Sequence, residues 1–315
     1  MVKGRYSAAE EEMNTLFNYL IFPGFLFSAS VGLFACWFDR KLTARLQYRA
    51  GPPWYQSFID IVKLSGKEII LPSHAQATFL FSPYIGCLSA ALVATILGNN
   101  IFLKPFGFNG DLLVVIYLLV IPPVTLMLGA FASRNPLASM GAGREMKLVL
   151  AYELPFLLAV VAVIIKSAGA IQLSGIIAQQ TYFGSNIFSI SGFLAFLVVF
   201  LCIQAKLGLG LFDVSEAEQE LMCGALIEYS GLPLAAFKLT KAILLYSLPL
   251  LAIILFLGRD LSPAFVFIKY AALLIVIILI KNTNPRLRVD QILRFFWGLP
   301  AILASAAVVL ALLGV

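Results

Sequence analysis

Long apolar runs alternate with short polar stretches along the whole chain. Each run holds about 20 residues, enough for an α-helix to cross a hydrocarbon core of about 30 Å. The runs lack the alternation of barrel strands, so the backbone must satisfy its own hydrogen bonds as helix. The pattern predicts an all-α integral membrane protein with one polytopic membrane domain over residues 1–315. The eight predicted transmembrane helices are 16–38, 77–98, 111–132, 146–166, 190–211, 234–257, 263–281 and 292–314.

The long loop 39–76 predicts one further helix, in the stretch WYQSFIDIVKLSGKEIILP. Phe58, Ile61 and Val62 recur at helical spacing, with Ser65 and Ile69 continuing the same face. Such a helix is amphipathic and less apolar than the spans, so it is expected to lie on the inner membrane surface and not to cross it. Gly51-Pro52-Pro53 precedes it and prevents a continuous helix from the first span, because proline cannot join the helical ladder.

Basic residues are concentrated in alternate loops, which orients the spans. Of the 22 Lys and Arg, 16 fall at residues 39–76, 133–147, 206–241 and 281–294. By the positive-inside rule these loops are cytoplasmic, and a multi-pass protein of the cell membrane with both termini outside is expected. The net charge of +6 is therefore a topology signal. A nucleic-acid partner would need basic residues on a solvated domain, and the sequence predicts none.

The sequence predicts no catalytic, cofactor or metal residue in this chain. Its four cysteines are scattered singly, and His74 is the only histidine, so a metal site of the usual His/Cys kind is excluded. No phosphate-cradling glycine loop is present. If the chain belongs to a redox machine, the cofactors are expected on partner subunits.

Five carboxylates stand close together in FDVSEAEQELMCGALIEYS, out of 16 Asp and Glu in the whole chain: Asp213, Glu216, Glu218, Glu220 and Glu228. On a continuous helix Glu216, Glu220 and Glu228 would share one broad stripe. Carboxylates one turn apart repel by roughly 3 kcal/mol at an effective dielectric near 20, which favours retention of a proton. The cluster is interpreted as a site that holds and passes protons. A solvated acidic face on a cytoplasmic loop is the alternative.

Two further acids lie in GAGREMKLVLAYELP. Glu145 stands at the mouth of the fourth span and Glu153 lies eight residues further, about 12 Å deeper along a helix. Ionisable groups within spans are costly and point to transport or proton relay. Pro155 leaves the Ala151 carbonyl without its helical donor, which favours a polar pocket near Glu153.

Several segments together resemble a known family. FDVSEAEQELMCGALIEYSGLPLAAFKL, RKLTARLQYRAGPPWYQSFIDIVKLSGKE, GAGREMKLVLAYELP and NPRLRVDQILRFFW are similar, in order, to the complex I membrane subunit that joins the redox arm to the membrane arm. The direct run from Gly51-Pro52-Pro53 into the amphipathic helix is more similar to the counterpart in energy-converting membrane-bound [NiFe] hydrogenases, including formate hydrogenlyase. Leu211 and Ser215 depart from a common family form in which prolines stand.

The resemblance implies a non-catalytic subunit of an ion-translocating oxidoreductase complex. It implies a peripheral arm with a [NiFe] centre and iron–sulfur clusters, electrons from ferredoxin, and antiporter-like membrane subunits that move H⁺ or Na⁺. The chain would anchor that arm and carry the coupling through Glu145, Glu153 and the five-acid cluster. Alternatives are a quinone-site subunit of an NADH or F420H2:quinone oxidoreductase, the equivalent subunit of a sulfur-compound-reducing relative, and, from another class, a stand-alone secondary transporter.

A basic cluster just past the first span is the candidate docking site for the arm. Arginine's fork suits pairing with carboxylates, either of a peripheral subunit or of the acids at 213–228. Contact with lipid headgroups is the alternative. The candidate docking residues are Arg40, Lys41, Arg45 and Arg49.

Overall fold

The computed structural model describes residues 17–103, 107–216 and 218–314, apart from the side chains of residues 218 and 219. All regular elements in these ranges are helices. They are α1 Phe25–Leu46, α2 Gln56–Ser65, α3 Ala77–Phe102, α4 Asp111–Ala132, α5 Pro136–Lys166, α6 Leu173–Phe183, α7 Ile190–Lys206, α8 Glu218–Leu221, α9 Gly231–Phe256, α10 Pro263–Thr283, α11 Val289–Trp297 and α12 Leu299–Leu312. Single 3₁₀ turns occupy Asn186–Phe188, Gly210–Phe212 and Gly224–Leu226.

Seven helical segments of the described chain are long and apolar enough to cross a membrane. They are Phe17–Leu46, Ala77–Phe102, Asp111–Ala132, Pro136–Lys166, Gly231–Phe256, Pro263–Thr283 and Val289–Leu312. The remaining predicted span, 190–211, corresponds to α7, an apolar helix of 17 residues that ends at Lys206. The all-helical membrane architecture is therefore confirmed, whereas the count of eight spans and the placement of both termini stay predictions.

Some predicted span boundaries are wrong, because one helix starts before its apolar run and another span is interrupted. Helix α5 begins at Pro136, ten residues before the predicted start of the fourth span, because Asn135 caps it. The Asn135 Oδ1 atom accepts from the Leu137 backbone N–H at 2.9 Å, and proline suits the first helical position. The last span is split, since Gly298 separates α11 from α12.

Helix α2 lies in loop 39–76, where the sequence predicts an additional helix, and its amphipathic, surface-lying character stays a prediction. It is tied to α1 by an ion pair between Arg40 and Asp60 of 2.9 Å. The loop before it is also fixed to α1, because the Trp37 indole N–H donates to the Pro52 carbonyl at 3.0 Å. Val62 of the predicted apolar face of α2 is 71% exposed, as expected for a side chain that contacts lipid and not the bundle.

Helix α9 forms the centre of the bundle. Within its most apolar 18 residues, 89% are buried, more than in any other membrane-length helix of the described chain. It packs against α1, α3 and α7, among others. Lys241, in its third turn, lines the cavity described below, whereas Lys238 is exposed.

Candidate functional site

The segment 213–228, hereafter the acid loop, does not form the continuous helix that would place three glutamates on one stripe. Of its described residues only Glu218–Leu221 are α-helical, and a 3₁₀ turn follows at Gly224–Leu226. Met222 and Cys223 between them have positive φ angles of 50° and 74°. Left-handed backbone breaks the helical period. The single-stripe prediction is therefore wrong, and the acids point to different partners.

Three glutamates of the acid loop are held by different partners. Glu216 Oε1 lies 2.5 Å from the Lys241 ammonium of α9. Glu220 Oε2 lies 2.5 Å from an Arg144 guanidinium nitrogen of α5. Glu228 Oε1 accepts from the side-chain amide of Asn135, the residue that caps α5, at 2.5 Å. The loop is thus fixed to the first turns of α5 and α9.

Close backbone packing holds the acid loop on α5. A Cβ atom on Gly141 would lie 2.6 Å from the Ala225 nitrogen, too near for any real side chain. Gly224 has φ +48°, and a Cβ atom there would overlap the Ser215 carbonyl oxygen. Only glycine fits such an approach. These two positions allow Ser215 and its neighbours to reach the carboxylate of Glu145.

A small cavity of about 50 Å³ lies where the acid loop, α5, α7 and α9 meet. It has room for a few water molecules, since one water needs about 10–15 Å³ of such space. Prolines 122 and 123 and Phe237 form apolar parts of its wall. Its polar wall consists of Glu145, Lys206, Asp213, Ser215, Glu216, Thr240 and Lys241.

Glu145 is the buried carboxylate of this group, with 9% of its surface exposed. The Ser215 hydroxyl donates to its carboxylate, and the charges of Lys241, Glu216 and Asp213 act on it. Asp213 also faces Arg286, at 3.9 Å. The structure therefore brings together Glu145, Asp213 and Glu216 from the predicted set. Mixed acids and ammonium groups around one cavity with room for water are suited to proton exchange, because neighbouring ionisable groups titrate as a coupled set.

Glu153 lies deeper and is reached through Lys206. The Lys206 ammonium donates to Glu153 Oε2 at 2.9 Å, and only 3% of the Lys206 side chain is exposed. The same nitrogen lies over the rings of Tyr152 and Phe156, 4.7 and 4.5 Å from their centroids. Because Lys206 also lines the cavity, it connects the cavity to Glu153.

Sequence reasoning missed the cations of this site. Lys206, Lys241 and Arg144 were interpreted only as orientation charges of inner loops. Their partners are distant in sequence: Lys206 meets Glu153 across 53 residues, and Arg144 meets Glu220 across 76. For Lys241 a signal was present, because it lies inside the apolar run that forms α9. The side chain of Glu218 lies outside the described part of the structure.

The candidate docking residues do not meet the acid loop through any ion pair in the described chain. Arg40 pairs with Asp60 instead. Burial raises the pKa of Asp60, but hydrogen bonds from Arg40 and Gln56 outweigh it and lower the pKa below its ordinary value. Lys41 is half-buried beside Gly51. Arg45 and Arg49 are exposed and form no ion pair within the described ranges.

Known proteins are similar to this chain over nearly its whole length. Residues 19–312 match the family model described as NADH dehydrogenase. The chain belongs to this family. A relative from Thermomicrobium roseum, the H subunit of NADH-quinone oxidoreductase, is 33% identical over 311 residues, covering 89% of this chain and 90% of the relative. The protein of the same name from Brevibacillus brevis is 30% identical over 282 residues, covering 84% and 82%.

A solved structure is similar as well. A chain of the membrane-bound sulfane sulfur reductase, an archaeal respiratory membrane complex, superposes with a TM-score of 0.84 at 26% identity, over 95% of this chain and 99% of that one. As a member of the NADH dehydrogenase family, the protein is a membrane subunit of a multi-subunit, complex I-like respiratory complex. Subunits of this type carry no cofactor of their own, and the cofactors lie on partner subunits. The described residues likewise hold no cluster of metal-ligating side chains.

Proposed function

We propose that this subunit anchors a peripheral redox arm and couples its electron transfer to ion translocation. The observation that carries the proposal is a series of neighbouring ionisable side chains that runs from the acid loop into the bundle. Asp213 and Glu216 border the same cavity as Glu145 and Lys206, and Lys206 is bound to Glu153. Protons would enter at the acid loop, exchange with the cavity groups and reach Glu153 through Lys206.

Coupling is tested by ion uptake into sealed vesicles per electron transferred. Glutamine keeps the shape and much of the hydrogen bonding of glutamate but removes its proton site. Glu153→Gln is expected to cut uptake severely, since it lies deepest and has no described carboxylate substitute. Glu220→Gln, whose carboxylate is exposed, serves as the matched control with a mild effect. Unchanged uptake by an assembled Glu153→Gln complex would refute the path.

For the redox arm we propose a hydrogenase-type partner, with a [NiFe] large subunit, iron–sulfur subunits, ferredoxin as donor and protons as acceptor. The hydrogenase-like run from Gly51 to Gln56 supports it. In the structure this run reaches α2 directly, because the Gln56 N–H donates to the Pro53 carbonyl at 3.2 Å. Antiporter-like membrane subunits would then move H⁺ or Na⁺.

Two alternative kinds of redox arm are each supported by one observation. The superposition on the sulfane sulfur reductase favours an arm that reduces sulfur compounds. The relatives named NADH-quinone oxidoreductase favour a quinone acceptor. Gentle solubilisation, mass spectrometry of co-purifying subunits and metal analysis separate them. Nickel with hydrogen evolution supports the hydrogenase arm, nickel-free reduction of sulfane sulfur supports the second, and inhibition of the intact complex by quinone analogues supports the third.

A further inference from the structure

The buried carboxylate of Glu145 has one hydrogen-bond donor among the described side chains, the hydroxyl of Ser215. It forms no ion pair within residues 17–103, 107–216 and 218–314. The adjoining acid of the loop, Glu216, is bound to the Lys241 ammonium instead, at 2.5 Å. A buried carboxylate without a cationic partner depends on its hydrogen-bond donor, because buried polar groups are costly when unpaired. Ser215 is therefore the direct neighbour of Glu145 on the side of the acid loop.

The backbone of Ser215, and not its side chain, fixes it against α5. Its carbonyl oxygen accepts from the Ala225 N–H at 3.3 Å. A Cβ atom on Gly141, one turn before Glu145, would lie 2.9 Å from the same oxygen, so the loop lies directly on the helix there. The loop therefore keeps its place without the Ser215 hydroxyl, and this hydroxyl is available for chemistry in the cavity.

The hydroxyl borders both the cavity and the buried acid. Ser215, Glu145 and Glu216 all line the cavity of about 50 Å³, which has room for a few water molecules. A hydroxyl donates one proton and accepts through two lone pairs, so it can take a proton on one side while it gives one on the other. A carboxylate that is already held by an ammonium lacks this freedom. The position of Ser215 is thus suited to proton transfer between cavity water and Glu145.

We propose that the Ser215 hydroxyl relays protons between water in the cavity and the carboxylate of Glu145. In one transfer, the hydroxyl oxygen accepts a proton from a hydrated proton in the cavity, and its own proton passes to Glu145. The serine is unchanged, the hydrated proton becomes water, and the carboxylate becomes a neutral carboxyl group. This inference rests on the proposed ion path and adds to it an uncharged step that none of its carboxylates or ammonium groups supplies.

The relay is tested by proton uptake per electron into sealed vesicles that contain the intact complex. Ser215→Ala removes the hydroxyl but keeps the backbone contacts, and it should lose most of the uptake. Ser215→Thr keeps a hydroxyl and should restore most of it. Ser139→Ala is the matched control, because the Ser139 hydroxyl lies on α5 outside the cavity lining and donates to the Asn135 carbonyl at 3.0 Å. Equal uptake in Ser215→Ala and Ser139→Ala would overturn the proposal.

Infrared difference spectroscopy separates a relay from a packing role. The carbonyl band of protonated Glu145 is identified by its absence in Glu145→Gln. Loss of a hydrogen-bond donor raises the stretching frequency of a carbonyl group, so this band should shift upward in Ser215→Ala and stay in place in Ser215→Thr and Ser139→Ala. An unshifted band in Ser215→Ala would contradict the contact on which the relay depends.

Two further variants keep the outcome clear. Glu145→Asp withdraws the acid from the hydroxyl by one methylene group and should also lose most of the uptake. Wild-type uptake in Glu145→Asp would overturn the relay even if Ser215→Ala does not assemble. Glu153→Gln is measured alongside. If it loses uptake and Ser215→Ala does not, the relay is refuted and the ion path stands, whereas full uptake in both refutes the path itself.

Discussion

The ammonium of Lys206 and the carboxylate of Glu153 form an ion pair of 2.9 Å between α7 and α5, with Lys206 almost fully enclosed. Two aromatic rings cover the ammonium. An enclosed ion pair becomes destabilising once one partner loses its charge, because the other charge is then buried without a counter-charge. A proton arriving at Glu153 therefore changes the charge balance around Lys206, and this is the physical link between proton uptake and helix packing in our account.

Removal of one partner of this pair is expected to destabilise the protein. Glu153→Gln leaves an uncompensated ammonium in an apolar environment, at a cost of about 3 kcal/mol. The added change Lys206→Met removes that charge while keeping a flexible apolar side chain, so most of the stability should return. Thermal unfolding of the purified complex measures both variants, with the exposed Glu220→Gln as control. Equal unfolding temperatures for the single and the double variant would contradict this role of the pair.

The pair of Arg144 and Glu220 predicts a pH effect. The hydrogen bond and the charge of Arg144 lower the pKa of Glu220 below its ordinary value of 4.5. The stabilisation from this ionised carboxylate is present above its unfolded pKa and is lost as the pH falls through the lowered, folded pKa. In Arg144→Gln the carboxylate should titrate at a higher pH than in wild type. Infrared difference titration measures this shift, with Glu220→Gln as the reference that lacks the carboxylate. Identical titration midpoints in Arg144→Gln and wild type would disprove the coupling.

The sequence predicts the helices well because apolar length is a local property. Every predicted span contains helix, but the structure moves boundaries, such as the start of α5 to Pro136, splits the last span at Gly298 and adds α6. The conformation of the acid loop could not be predicted from local sequence. Its helical stripe fails because Met222, Cys223 and Gly224 adopt left-handed backbone, which packing against Gly141 requires.

The site itself could be predicted only in part. Glu145 and Glu153 stand out as acids in an apolar run, and the acid loop stands out by its density of carboxylates. Their cationic partners do not, because the pairing of Lys206 with Glu153, or of Lys241 with Glu216, depends on how helices distant in sequence pack together. No periodicity within one segment contains that information.

If the redox arm docks on the basic cluster after α1, reversing the charge of exposed arginines there should weaken its binding. Arg45 and Arg49 are exposed and form no ion pair within residues 17–103, 107–216 and 218–314, whereas Arg40 is already bound to Asp60. The double change Arg45→Glu, Arg49→Glu should release the soluble arm from membranes at moderate salt. Sedimentation and immunoblotting of the arm measure it. Arg259→Glu is the control, and an arm that resists high-salt washing in the double variant would argue against docking at these residues.

Membrane topology is predicted from the distribution of basic residues. Eight spans with both termini outside place the loops 39–76 and 212–233 in the cytoplasm. Single cysteines introduced at Gln47 and at Arg259 should react with an impermeant reagent from opposite sides of sealed vesicles. A tag after Val315 should be reached only from outside, and access from the cytoplasm alone would refute the eight-span arrangement.

The most direct test of the account is ion uptake per electron by the double variant Glu153→Gln, Lys206→Met in sealed vesicles. This variant removes the buried charge imbalance together with the proton site, so failure to fold does not obscure the result. If the cavity, Lys206 and Glu153 form the ion path, an assembled and redox-active double variant should lose most of its uptake per electron. Uptake per electron equal to that of wild type would contradict the path.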